Sequence, residues 1–205
     1  LRTGLKELLQ AVRLDPDNPR IHQDLGLAYR DLGQYGTSIS HFEEALRLCP
    51  RFPEAWNNLG TVYLSMAKWD AAISCFQKAA NDILYETPQY ALYNMGIAYF
   101  RKYDYEKAIQ NYRNAVRLDP SFGMCWTGLG QAYEREEQWV EAAKAYENAV
   151  HYLPERPGGY VGLGRAYLQL GQAERARKAL QKALALDPEG ESGKDVRALL
   201  EGIEQ

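Results

Sequence analysis

A glycine returns along this chain at an almost fixed step: Gly26, Gly60, Gly96, Gly130 and Gly164 stand 34, 36, 34 and 34 residues apart. Each is followed three residues later by a tyrosine, at Tyr29, Tyr63, Tyr99, Tyr133 and Tyr167. Alanines keep the same beat at Ala11, Ala45, Ala79, Ala115, Ala149 and Ala183, and prolines close most units at Pro16, Pro50, Pro120, Pro154 and Pro188. A period of this length marks a stack of small supersecondary units. Within a unit, Leu25, Gly26 and Tyr29 share one face of a helix, and Ala72, Phe76 and Ala79 share a face of a second. Each unit therefore predicts two antiparallel helices that cross closely at a small residue, with an aromatic ring filling the space beside it. Proline cannot continue the second helix and sets up the next turn. Such a pair cannot bury its apolar face alone, so it stacks on its neighbour. The predicted fold is all-α.

The periods divide the chain into five full repeats, 19–52, 53–88, 89–122, 123–156 and 157–190. Residues 1–18 read as an N-terminal half repeat, the second helix of a sixth unit. Its Leu5, Leu8, Leu9 and Val12 are expected to lack part of their cover, either because the sequence begins within a repeat or because this face docks on another molecule or a second copy. Residues 191–205 read as a C-terminal capping helix, opened by a capping box of Ser192 and Asp195 and striped by Val196, Leu199, Leu200 and Ile203. The one break in period falls between Ala79 and Leu92, where two extra residues enter NDILYETPQY and the closing proline is missing. Insertions of this kind map to loops.

WNNLGTVYLSMAKWDAAISCFQKA (56–79) and WTGLGQAYEREEQWVEAAKAYENAVHYLP (126–154) resemble the tetratricopeptide pattern of Trp, Leu-Gly, Tyr, Ala, Phe and Ala. The resemblance covers essentially residues 1–190. It implies a right-handed superhelical solenoid whose concave groove, lined by the first helix of each repeat, binds a peptide or helix of another protein. Carried over position by position, the groove residues expected here are Asn57, Asn58, Thr61 and Leu64, then Tyr90, Tyr93, Asn94, Ile97, Phe100 and Arg101, and then Gln131. The Lys, Asn, Asn, Lys, Arg set with which cochaperone repeats grip a terminal carboxylate is not supplied by any window. Tyr90, Tyr93, Ile97 and Phe100 instead form an aromatic and apolar stripe, beside amides that can bond a ligand backbone.

Composition excludes several other functions. A net charge of −3 and a pI near 5.7 offer no basic footprint for nucleic acid. No stretch approaches the roughly 20 apolar residues of a membrane span. Cys49, Cys75 and Cys125 form no paired motif, so neither a disulfide framework nor a zinc site is expected. His22, His41 and His151 occupy different offsets along the repeats and are not expected to converge on a metal or nucleophile. With no phosphate-binding loop and no catalytic constellation, the expectation is a non-enzyme without metal or cofactor.

A finer resemblance rests on WNNLGTVYL and FQKAANDILYETPQYALYNMGIAYF. Asn57, Asn58, Gly60, Phe76, Ala79, Tyr85, Pro88, Asn94 and Gly96 are similar to the pattern of type IV pilus pilotins, lipoproteins that aid secretin assembly. Ala98 stands where that family often carries cysteine. The resemblance implies a secretin subunit as partner and a place on the periplasmic face of the outer membrane. Two other readings remain open: a cytoplasmic adaptor or cochaperone-like scaffold, and the repeat module of a larger enzyme. A lipid-accepting cysteine at the native N-terminus would separate the first reading from these.

Overall fold

A computed structural model of the chain describes residues 2–188 and 193–204. Twelve helices and no strand are present among the described residues. The chain divides into two compact units, Leu1–Lys102 and Tyr103–Gln205. The first holds α1 (Arg2–Leu14), α2 (Pro19–Asp31), α3 (Tyr35–Leu48), α4 (Pro53–Ser65), α5 (Trp69–Ala80) and α6 (Pro88–Arg101). The second holds α7 (Tyr105–Leu118), α8 (Gly123–Arg135), α9 (Trp139–Tyr152), α10 (Pro157–Gln169), α11 (Ala173–Leu186) and α12 (Gly193–Glu204). Within each unit every helix packs on the next, and α2 meets α4, α4 meets α6 and α8 meets α10 one helix further on. This is the stacking of helix pairs that the period predicts.

Local chemistry sets the helix ends. Pro19, Pro53, Pro88 and Pro157 open their helices, where a missing N–H costs nothing and the fixed φ suits the first turn. Asn18 caps α2 by accepting from the Arg20 N–H at 3.1 Å, and Asp104 caps α7 by accepting from Lys107 N–H at 3.2 Å. The turn after each first helix passes through a left-handed residue at Gly33, Ala67, Tyr103, Glu137 and Gly171, each seven residues beyond the periodic glycine. In the second repeat, Lys68 N–H reaches back to the Tyr63 carbonyl at 2.9 Å, the bond that finishes such a helix end.

The pairs close on the periodic glycines. A Cβ at Gly26 would lie 2.9 Å from the Phe42 ring, at Gly60 2.5 Å from that of Phe76, and at Gly130 2.8 Å from that of Tyr146. At these three crossings the sealing ring is sixteen residues after the glycine, on the facing helix, and at Gly164 Leu180 takes that place. Around these crossings run apolar clusters, such as Ala72, Phe76, Ala79, Tyr85, Ala91, Met95 and Ala98 in the first unit. In the second unit Val196 is buried against Val161, Leu180 and Ala183, with Leu199, Leu200 and Ile203 packed beside it. Ser192, the expected cap of that helix, lies outside the described residues. On α1, Leu5, Leu8 and Val12 are half-buried and Leu9 is exposed, while the helix packs on α2.

The loop between α5 and α6 absorbs the extra residues. Tyr85 turns inward and is buried in the core, whereas Ile83 and Leu84 stand 88% and 67% exposed. Asp82 organises the turn: its carboxylate accepts Leu84 N–H at 2.9 Å, and its backbone carbonyl accepts Tyr85 N–H at 3.1 Å.

Candidate functional site

Helix α6 has two faces of different character. Ala91, Met95 and Ala98 are buried in the core and hold the helix against α5 and α4. Tyr90, Tyr93, Ile97 and Phe100 follow the same helical spacing on the side away from that core. Tyr90 is 44% exposed, and Tyr93, Ile97 and Phe100 are half-buried. Arg101 is exposed at the end of the helix.

The neighbouring first helix, α4, brings Asn57, Asn58, Thr61 and Leu64, all half-buried. These residues are partly committed within the fold. Asn94 Nδ2 donates to Asn57 Oδ1 at 3.1 Å, so two of the amides bond each other across the α4–α6 step. Thr61 Oγ1 donates to the Asn58 carbonyl at 2.7 Å and accepts from Arg30 Nη1 at 3.5 Å. Leu64 packs on the core cluster beneath α6. Asn58 is left with a side-chain amide that bonds nothing among the described residues. Gln131 is exposed on α8 in the second unit.

A rung between successive first helices was not anticipated from sequence. Arg30 to Thr61 in the first unit and Arg165 to Glu134 in the second occupy the same register. Each links the residue four after one periodic glycine to the residue one after the next. The second rung is the stronger, because Arg165 Nε donates to Glu134 Oε1 at 2.7 Å and Tyr146 Oη donates to Glu134 Oε2 at 2.5 Å. Burial and the adjacent carboxylate push the Tyr146 hydroxyl pKa far above its ordinary value.

Two of the histidines meet each other across one helix pair. His22 and His41 converge, with their Nδ1 atoms 3.2 Å apart, and His22 Nε2 lies 2.9 Å from the Pro16 carbonyl. That carbonyl requires a proton on His22 Nε2, so in the neutral pair His41 Nδ1 donates to His22 Nδ1. His41 also stacks on Tyr29, centroid to centroid 5.4 Å. Burial, and then the nearby His22, lower the His41 pKa. Their nineteen-residue separation spans the α2–α3 turn within the first repeat and puts both on the facing sides of one pair. No group of three or more metal-ligating side chains occurs among the described residues. Cys75 and Cys125 are buried, and burial pushes their thiols up to about 11 and about 12. No described helix is long and apolar enough to cross a membrane.

Models described as tetratricopeptide repeat match residues 7–40, 51–121, 93–160 and 129–201, and one described as TPR repeat matches 26–66. No curated protein sequence matches the chain. Among solved structures, PilW, described as a widely conserved type IV pilus biogenesis factor, superposes with a TM-score of 0.86 at 20% identity, covering 96% of this chain and 90% of that one. The MamA protein superposes at 0.72 with 25% identity, over 86% of this chain and 94% of that one. YrrB, described as a TPR protein with an unusual peptide-binding site, superposes at 0.73 with 17% identity, over 93% and 97%. Identities this low carry the fold and no more.

Proposed function

We propose, from the premise that this chain belongs to the tetratricopeptide-repeat family, that it is a protein-interaction scaffold holding a peptide or helical segment of its partner on the α4–α6 face of the first unit. The observation that carries this reading is the α6 stripe of Tyr90, Tyr93, Ile97 and Phe100, set opposite the face that α6 buries. Aromatic side chains offer a partner large apolar area at low entropic cost. Asn58 supplies an unengaged amide to bond a ligand backbone, while the Asn57–Asn94 pair fixes the step between the two helices. Leu64 acts as floor rather than as contact.

The finer reading is a type IV pilus assembly protein that binds a secretin subunit and aids its multimerisation. It is supported by the Asn57, Asn58, Gly60, Phe76, Ala79, Tyr85, Pro88, Asn94, Gly96 pattern and by likeness in fold to PilW. It requires a lipid-bearing cysteine at the mature N-terminus of the native protein, and an adaptor of the cytoplasm requires none. The test is deletion of the gene in its own cell, followed by electrophoresis of detergent-resistant secretin. Loss of multimers with monomer retained is expected; undiminished multimers would remove the pilus reading and leave the scaffold reading standing.

A further inference from the structure

In the second unit, α7, α8 and α9 enclose a cleft of about 990 Å³. Its counterpart one repeat later measures about 280 Å³. The two are equivalent in register: Trp126, Leu129, Tyr133, Glu141 and Lys144 line the first where Tyr160, Leu163, Tyr167, Arg175 and Lys178 line the second. What fills the smaller one is visible. Arg175 lies over the Tyr167 ring at 4.1 Å and donates to Glu147 at 2.9 Å, and Glu147 also accepts the Tyr167 hydroxyl at 2.5 Å.

In the larger cleft those two charges are exchanged. Arg113 stands at the register of Glu147, and Glu141 at that of Arg175. A carboxylate is repelled by the negative face of an aromatic ring, so Glu141 cannot cover Tyr133 as Arg175 covers Tyr167. No ion pair joins Arg113 to Glu141 among the described residues. Arg113, Arg117 and Lys144 rim the cleft without a side-chain hydrogen bond or ion pair among those residues, while Lys107 is held by Asp104 at 2.7 Å. Arg113 nevertheless sits close enough to Tyr133 to oppose the upward push of burial on its hydroxyl pKa. Beneath the rim lie half-buried Trp126 and Tyr133 and buried Leu129.

We propose that this cleft is a second docking site, taking an acidic peptide segment of a partner protein. An aromatic or large aliphatic side chain of that segment would rest on Trp126 and Tyr133, and its carboxylates would meet Arg113, Arg117 and Lys144. Arg113 and Arg117 are one helical turn apart on α7, which suits carboxylates about 6 Å apart. Charge complementarity favours this occupant, because Lys107, Arg113, Arg117 and Lys144 outnumber Glu106 and Glu141 in the lining, and the overall −3 of the chain disfavours the long phosphate backbone of a nucleic acid. The site is separate from the α4–α6 face and does not depend on it.

Fluorescence anisotropy of the intact chain tests the proposal. The probes are a labelled peptide of alternating Glu or Asp with Leu or Trp, its lysine-for-acid counterpart, and labelled oligothymidylate. Two variants are compared with wild type: Arg113→Glu with Glu141→Arg, which restores the closing pair at constant net charge, and Arg117→Ala with Lys144→Ala. The acidic peptide is expected to bind wild type and to weaken about tenfold or more in both variants. Its binding to Tyr93→Ala/Phe100→Ala is expected to equal that of wild type. Circular dichroism establishes that each variant is folded, and if the exchanged pair fails to fold the alanine pair decides. Equal binding of the acidic and lysine peptides, undiminished binding in a folded variant, or tighter binding of oligothymidylate would each overturn the proposal.

Discussion

Two glycines of helix α10 make opposite demands. A Cβ at Gly162 would sit 2.3 Å from the Tyr146 ring, whereas at Gly158 it would meet nothing within 4 Å. Alanine gains about 1 kcal/mol over glycine inside a helix, but overpacking against a buried ring costs about 1–3 kcal/mol. Gly162→Ala is therefore expected to lower the urea midpoint of unfolding, and Gly158→Ala to leave it unchanged or raise it slightly. Two midpoints that moved together would show that the crossing does not depend on the missing side chain. The repeating glycine was plain in the sequence, but its packing partner was not. A tyrosine three residues away on the same helix looked as suitable as the ring sixteen residues away, and only antiparallel pairing selects the latter.

The α2–α3 pair carries the clearest consequence at the scale of an element. His41 has its pKa lowered from the ordinary 6.5 by burial and by His22, so below that value the unfolded chain binds more protons than the folded one. Its contribution to stability is present above the unfolded pKa and is lost as pH falls through 6.5 towards the lower folded value. Besides each other, the pair faces Tyr29 on α2 and Glu44 on α3, whose pKa is lowered first by its hydrogen bond to Arg47 and last by His22. Hydrogen exchange corrected for intrinsic rate is expected to show amides of α2 and α3 losing protection between about pH 7.5 and about pH 5.5. His41→Gln should flatten that dependence, and an unchanged slope would refute the linkage. Sequence could not display this pair, because its offsets match no repeated position. The inserted loop shows the reverse case: the break in period announced it, but which residue turned inward was invisible. Tyr85 enters the core and Ile83 and Leu84 do not, because Asp82 holds the turn that separates them.

At the scale of the molecule, the period made the helix pairs of both units legible, because one register fixes the crossings within each. The candidate surface was legible only as a choice of face. Spacing put Tyr90, Tyr93, Ile97 and Phe100 together, and the buried Ala91, Met95 and Ala98 say which way they turn. Spacing could not show that Asn57 and Asn94 bond each other, that Thr61 receives Arg30, or that Leu64 is floor. Those are relations between repeats, as is the exchanged charge pair that opens the α7–α9 cleft. The central claim is that partner recognition runs through the α4–α6 face, and one measurement reaches it directly. Proteins of the source cell retained by wild type are quantified against those retained by Tyr93→Ala/Phe100→Ala, with circular dichroism matched between the two. A retained protein lost selectively from the folded double variant is the predicted result, and an identical retained set would contradict the account.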